Sequence, residues 1–256
     1  MKHVDLSQRR DRIIALLSDA GELSAHELSD QLGVSVQTIR SDLRDLDAVA
    51  LVQRKNGAVR LRQLENIAYA PRLDASSAEK RRIAQAVKKL IGHGASIALG
   101  TGTTVEHCAR ELAALQNLFV VTNSIHAVIA LQHASGAVVE MAGGSVRLRD
   151  LDVISPISRD FFDGFRMEYA IFSCGGVAKN GEVLDYNSDE VSARASVAHC
   201  AKTKVLVVDS AKFDRDLPCV QANIWDYDIV VTEADLGEHI IQKCAQTNCR
   251  SISPKT

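Results

Sequence analysis

The sequence has no apolar run approaching the roughly 18 residues that a membrane-spanning helix needs. Its first residues, Met1 to Arg10, carry charge without an apolar stretch, so no secretory signal is expected. Six cysteines, at 108, 174, 200, 219, 244 and 249, include no C-x-x-C pair. The nearest spacing, Cys244 to Cys249, is a weak metal signal, and the thiols read as reduced, mostly buried groups of a cytoplasmic protein. Neither a metal nor a cofactor is expected. Charge of one sign is lacking too: 30 Lys and Arg face 32 Asp and Glu, so the total alone does not point to nucleic acid. What is present is an ordinary globular balance, with 46% hydrophobic and 24% charged residues in 256. That excludes disorder and leaves room for one large domain or two modest ones.

The charge is informative once divided. Residues 1–62 are net +1 and residues 63–256 net −3, and from Gln53 to Gln63 there are four basic residues (Arg54, Lys55, Arg60, Arg62) and no acid. A local basic stripe matters more than a total, because phosphate attraction is screened within about 10 Å at ordinary salt.

Three helical patterns fill the first 47 residues. Ser7 to Ala20 carries Ile13, Ile14, Leu16 and Leu17 on one face and stops at Gly21. Ser24-Ala-His-Glu27 has the form of a capping box and predicts a short helix ending at Leu32-Gly33. In the third pattern Val36, Ile39, Leu43 and Leu46 form an apolar stripe, opposite Ser35, Gln37, Thr38, Arg40, Ser41 and Arg44. The period then becomes alternating over Leu51 to Leu61, with Asn56-Gly57 as a hairpin turn signal. Helix, helix, turn, helix and basic hairpin make a winged helix-turn-helix over residues 5–62. Its third helix suits the major groove, where arginine pairs with guanine, glutamine with adenine, and hydroxyls hold phosphates. Arg54 and Lys55 are the expected wing contacts.

Residues 63–78 show no clear period and contain Pro71, which reads as a linker. From Glu79 onward helices and strands alternate: helix 79–92, strand 95–99, helix 103–115, strand 118–122, helix 124–134 and strand 137–142. A second set is strand 168–173, helix 189–201, strands 204–208 and 228–232, helix 236–246 and strand 249–252. Fully apolar strands such as Val205-Leu-Val-Val208 imply a mainly parallel sheet covered on both faces, so residues 79–256 read as an α/β domain.

The run Leu32-Gly-Val-Ser35-Val-Gln-Thr38-Ile-Arg40-Ser41-Asp-Leu43, with Arg54-Lys-Asn-Gly57-Ala58 after it, resembles the DeoR family of bacterial transcriptional regulators. Ser41 stands where the family usually has Arg, and Lys55-Asn56 where it usually has His-Gly. The second half resembles the same family's sensor domain, whose fold is related to ribose-phosphate isomerases, and is especially similar to its glycerol-phosphate regulon repressors. The resemblance implies a repressor of a carbohydrate or polyol operon, released from operator DNA by a phosphorylated effector. One helix-turn-helix reads only a few base pairs, so a homodimer or homotetramer is expected.

Ligands of open α/β sheets bind beyond the carboxyl ends of the strands, and helix N-termini favour anions. Gly100-Thr101-Gly102-Thr103-Thr104 is therefore a phosphate cradle, with Lys212 as counter-charge. Thr122-Asn123-Ser124, Gly143-Gly144 and Gly175-Gly176 follow other strands and are candidate lining residues. Carried over from the resemblance, Arg147, Asp185, Asp189 and Glu190 face the effector. The family often has Asp where Gly100 stands. The alternative is an isomerase-like enzyme, since the Gly-Thr-Gly-Thr-Thr loop also resembles that of ribose-phosphate isomerases. No Asp-Gly-Ala-Asp-Glu or Lys-Gly-Gly-Gly run is present to supply the acid and base, so no catalytic residues are expected. His107 and Cys108 read as packing residues.

Overall fold

A computed structural model describes residues 9–254, apart from 11, 15, 18, 19, 49–51, 56 and 62–68. The chain divides into two units, Met1–Ala75 and Ser76–Thr256.

In the first unit, residues 9, 10, 12–14, 16, 17 and 20 are helical. β1 (Glu22–Ser24) leads into α1 (Ala25–Leu32), then α2 (Val36–Ala48), β2 (Val52–Lys55) and β3 (Ala58–Leu61). The capping box forms at α1: Ser24 Oγ accepts from the Glu27 N–H at 3.2 Å, and Glu27 accepts from the Ser24 N–H at 2.7 Å. Gly33 ends α1 in the left-handed region at φ 64°. Ile13, Leu17, Leu28, Ile39, Leu43, Leu46 and Val52 make one core beneath the three helices. Asp42, buried in α2, takes Arg9 at 2.6 Å and also Arg10, so the first helix is fastened to the third by charge as well as packing. The three residues of β1 carry no strand signal of their own. β1 pairs antiparallel with β3, placing Ser24 opposite Ala58, so the hairpin is stitched to the start of α1.

The expected linker is not wholly irregular. Residues 62–68 lie outside the described set, but α3 (Tyr69–Asp74) and α4 (Ser77–Leu90) are helical. Pro71 fits because it stands in the first turn of α3, where backbone N–H groups have no intrahelical partner to lose.

The second unit holds a seven-stranded parallel sheet. Its strands are β4 (Ser96–Leu99), β5 (Phe119–Thr122), β6 (Val138–Met141), β7 (Met167–Phe172), β10 (Ala201–Val207), β12 (Ile229–Val231) and β13 (Arg250–Ile252), in spatial order β13-β12-β10-β7-β4-β5-β6. Alternate residues feed two cores. Ile97, Leu99, Val120, Ile171, Val205 and Val207 meet α4, α5 (Thr103–Leu112) and α6 (Ile125–Leu131). Ala98, Val121, Ala170, Phe172 and Leu206 meet α7 (Pro156–Asp163), α8 (Ser188–His199) and α9 (Glu238–Thr247). Burial on both faces is why the central stretches such as Val205–Val207 and Ile229–Val231 read as unbroken apolar runs, while the edge strands β6 and β13 are partly exposed. Two features add to the expected frame. One is α7, whose Ser155 cap and N-terminal Pro156 are ordinary start signals. The other is a small antiparallel sheet of β8 (Gly176–Val177), β9 (Glu182–Asp185) and β11 (Cys219–Asn223) beyond the end of β7.

Candidate nucleic-acid interface and effector site

On α2, at about 100° per residue, Gln37, Ser41 and Arg44 point away from the buried side formed by Ile39, Asp42, Leu43 and Leu46, and all three are exposed. They form the outward face. Ser35 and Thr38 have another duty. Ser35 Oγ accepts from the Thr38 N–H at 3.1 Å and lies 2.8 Å from Thr38 Oγ1, so this hydroxyl pair closes the start of the helix. Arg40 is exposed but turned to one flank, towards the hairpin. There, a cleft of about 740 Å³ is lined by Ser24, His26, Arg40, Leu43, Asp47 and Arg54. Arg54 follows Val52 by two residues, which puts both on the side of the hairpin that meets α2. The Lys55 side chain and Asn56 lie outside the described residues. Gly57 turns at φ 84°.

In the second unit the chain leaves β4 towards β5 and β6, then returns to β7 on the other side. The topological switch point therefore lies between the ends of β4 and β7. The Gly100–Thr104 and Gly175-Gly176 clusters both sit there. Gly100 follows β4, and its N–H donates to Ile171 O at 2.9 Å. A Cβ on Gly100 would lie 3.0 Å from the Phe172 Cβ, so the turn passes tight against β7. Gly102, at φ 112° and ψ 159°, occupies a region open essentially only to glycine and starts α5. Thr103 and Thr104 are buried in that first turn, and Thr104 Oγ1 donates to Asp209 at 3.4 Å. Thr101 is half-buried.

At the end of β7, Lys212 Nζ donates to Cys174 O at 2.7 Å, which fixes the ammonium beside the Gly175-Gly176 turn. Burial pushes the Cys174 thiol up to about 11, so it is not a reactive thiolate. Ser173 is buried, and its hydroxyl has no hydrogen-bond partner among the described residues. By alternation with Phe172 and Cys174, which face α7, α8 and α9, it falls on the opposite, α5 side of the sheet. No motif in the sequence singles it out, nor Arg215, whose side chain lies against Gly176 and donates to Gly175 O at 3.5 Å.

Three residues expected to face the effector, Arg147, Asp185 and Glu190, stand in one network of charges with Asp152 and Arg194. Arg147 grips Asp152 with two bonds of 2.7 Å and Glu190 at 3.0 Å. Arg194 holds Asp185 and lies 3.5 Å from Glu190. The result is a chain of charges, Asp152–Arg147–Glu190–Arg194–Asp185, tying the 147–152 segment to α8 and β9. Burial raises the Asp185 carboxyl to about 6 despite Arg194. For Glu190 burial also opposes charge, but its hydrogen bond with Asp185 and the guanidiniums of Arg194 and Arg147 hold it down at about 2. Asp189 is exposed in the first turn of α8.

Thr122, Asn123 and Ser124 are buried and serve the backbone. Thr122 donates to Leu99 O at 2.8 Å, the Asn123 amide donates to Val153 O at 3.0 Å, and Ser124 caps α6. Gly143 and Gly144 are exposed; Gly144 turns at φ 130° against Ser155. Cys108 is fully buried in the core with its thiol pushed up, and His107 is buried beside it. Among the described residues no group of three or more His, Cys, Asp or Glu is placed to hold a metal ion, and no helix is long and apolar enough to cross a membrane.

Comparison with known proteins matches residues 9–63 to the DeoR-like helix-turn-helix domain and residues 75–234 to the DeoR C terminal sensor domain. A glycerol-3-phosphate regulon repressor of Haemophilus influenzae is 34% identical over 236 residues, covering 92% of each chain. One from Escherichia coli is 32% identical over 237 residues, covering 92% of this chain and 94% of its own. Among solved structures, ribose 5-phosphate isomerase A of Methanocaldococcus jannaschii aligns at 20% identity and a TM-score of 0.39, covering 54% of this chain and 55% of that one.

Proposed function

The chain belongs to the DeoR family of transcriptional regulators, and we propose that this member is a cytoplasmic repressor of a carbohydrate or polyol operon, released from its operator by a phosphorylated effector. The relatives named as glycerol-3-phosphate regulon repressors favour a small polyol phosphate. The observation that carries the effector half is the Gly100–Thr104 turn at the switch point, with Lys212 held at the end of the neighbouring strand. Glycines at that turn let backbone N–H groups approach an anion closely, and the start of α5 favours its charge. The effector needs no cofactor. Catalysis has no role in this reading: the buried carboxylates Glu106, Asp185 and Asp209 are engaged by Arg110, Arg194 and Thr104.

One recognition helix spans few base pairs, so useful specificity calls for paired copies, a homodimer or homotetramer. An effector shifts the equilibrium only if it binds the two arrangements of those copies unequally. The test is a thermal-shift screen against glycerol 3-phosphate, sugar phosphates and their neutral parents. A ligand that binds the native state raises the melting temperature by mass action. Stabilisation by a phosphorylated compound and not by its parent supports the cradle. No shift across the panel removes it and leaves the DNA-binding half standing.

A further inference from the structure

The outward face of α2 and the cleft beside it are chemically different surfaces. Gln37, Ser41 and Arg44 stand at positions i, i+4 and i+7, opposite the core, where a helix seated in a groove meets base edges. Arg40, Leu43 and Asp47 stand at i, i+3 and i+7 on the flank, and line the cleft with Arg54. Neither Arg40 nor Arg54 has an ion-pair partner among the described residues, and both are exposed. Two exposed guanidiniums that no acid among the described residues engages, on elements that share a core through Leu43 and Val59, converge on one concave surface. The third wall is the start of α1, with Ser24 and His26, held there by the pairing of β1 with β3. Among the described residues lining the cleft the one carboxylate, Asp47, lies seven residues from Arg40, about 10 Å along the helix. The Arg40 end therefore carries a surplus of positive charge.

We infer that this cleft is a seat for the phosphodiester backbone, clamped between Arg40 and Arg54, and that Arg40 positions the protein on DNA and does not read a base. Sequence preference then falls to Gln37, Ser41 and Arg44. This rests on the DNA-binding reading and divides its labour: arginine on a phosphate fixes register without carrying sequence information, and arginine on a base edge does carry it.

The test uses the full-length protein with two duplexes, one enriched by the wild-type chain from random DNA and one unrelated. Affinities are measured between about 50 and 200 mM salt. Each phosphate left without its arginine reduces the slope of log affinity against log salt by about 0.9. Arg40→Ala and Arg54→Ala should therefore each weaken binding to both duplexes by the same factor, and their deficit should shrink about threefold across that range. Repeating the selection with Arg40→Ala should return the wild-type consensus, and with Arg44→Ala a consensus relaxed at one position. A changed consensus for Arg40→Ala, or an unchanged salt slope, overturns the seat. Failure of the wild-type chain to enrich any duplex would overturn the DNA-binding reading itself, which is a separate outcome.

Discussion

Replacing Arg194 by Met tests whether the buried charge chain holds the sensor unit together. Asp185 is 0% exposed and Arg194 7%. The single substitution leaves Asp185 without its cation, and breaking one side of a buried pair costs about 3–5 kcal/mol. Glu190 suffers less, because Arg147 still holds it at 3.0 Å. For a unit of this length, Ser76–Thr256, each kcal/mol moves the melting temperature by about 2–4 °C, so a fall of about 6–20 °C is expected. The only tryptophan, Trp225, packs against Gly181 in this unit, so its fluorescence follows the unit during urea unfolding. The midpoint should fall with little change in slope. Removing both charges with Arg194→Met/Asp185→Leu should restore most of the loss, because a paired set exchanged for apolar groups is often neutral. A single variant costing under about 1 kcal/mol, or a double variant worse than the single, would show that the pair is not what packs α8 onto β9.

Three further outcomes follow from the same structure. The Asp185 carboxyl is raised from 3.8 to about 6 in the fold, so the fold binds that proton more tightly than the unfolded chain does. The stability this adds is full below the unfolded value and is lost as pH rises through about 6. Asp185→Asn should flatten that part of a urea-midpoint profile, and an unaltered profile between pH 5 and 7 would assign the proton elsewhere. Gly102→Ala forces a side chain into a glycine-only region and should cost about 1–3 kcal/mol, while reducing any effector-induced thermal shift; an unperturbed midpoint would mean that the turn relaxes. Ser35→Ala removes a helix cap and should cost about 1 kcal/mol while leaving the selected DNA consensus unchanged, and an altered consensus would give that hydroxyl a part in base reading.

Most of the frame is legible in the sequence because local signals are strong and agree with one another. The Ser24–Glu27 box, the Gly33 stop and the apolar stripe of α2 each specify their element without help from distant residues. The doubly buried strands announce a parallel sheet in the same way. What escapes depends on partners remote in sequence. β1 is a strand only because β3 lies beside it, and β8, β9 and β11 are two to five residues long. In the site, the position of the Gly100–Thr104 turn is legible because strand-to-helix turns fall at the carboxyl end of a sheet. The engagement of Arg147, Asp185 and Glu190 is not, because no spacing rule shows that their charges meet one another. Arg194 escapes for a related reason: a buried arginine on α8 looks in sequence like any solvated helix residue. Helical phase does separate Arg40 from Arg44, but only the position of the hairpin shows what lies beside Arg40.

The most direct test of the central claim is the affinity of the full-length chain for its selected duplex, titrated with glycerol 3-phosphate and the sugar phosphates and, in parallel, with their neutral parents. At least one phosphorylated compound should release the DNA, its parent should not, and Lys212→Gln should blunt release while leaving effector-free DNA affinity intact. Release by a neutral parent as readily as by its phosphate, or full release from the Lys212→Gln chain, would contradict it.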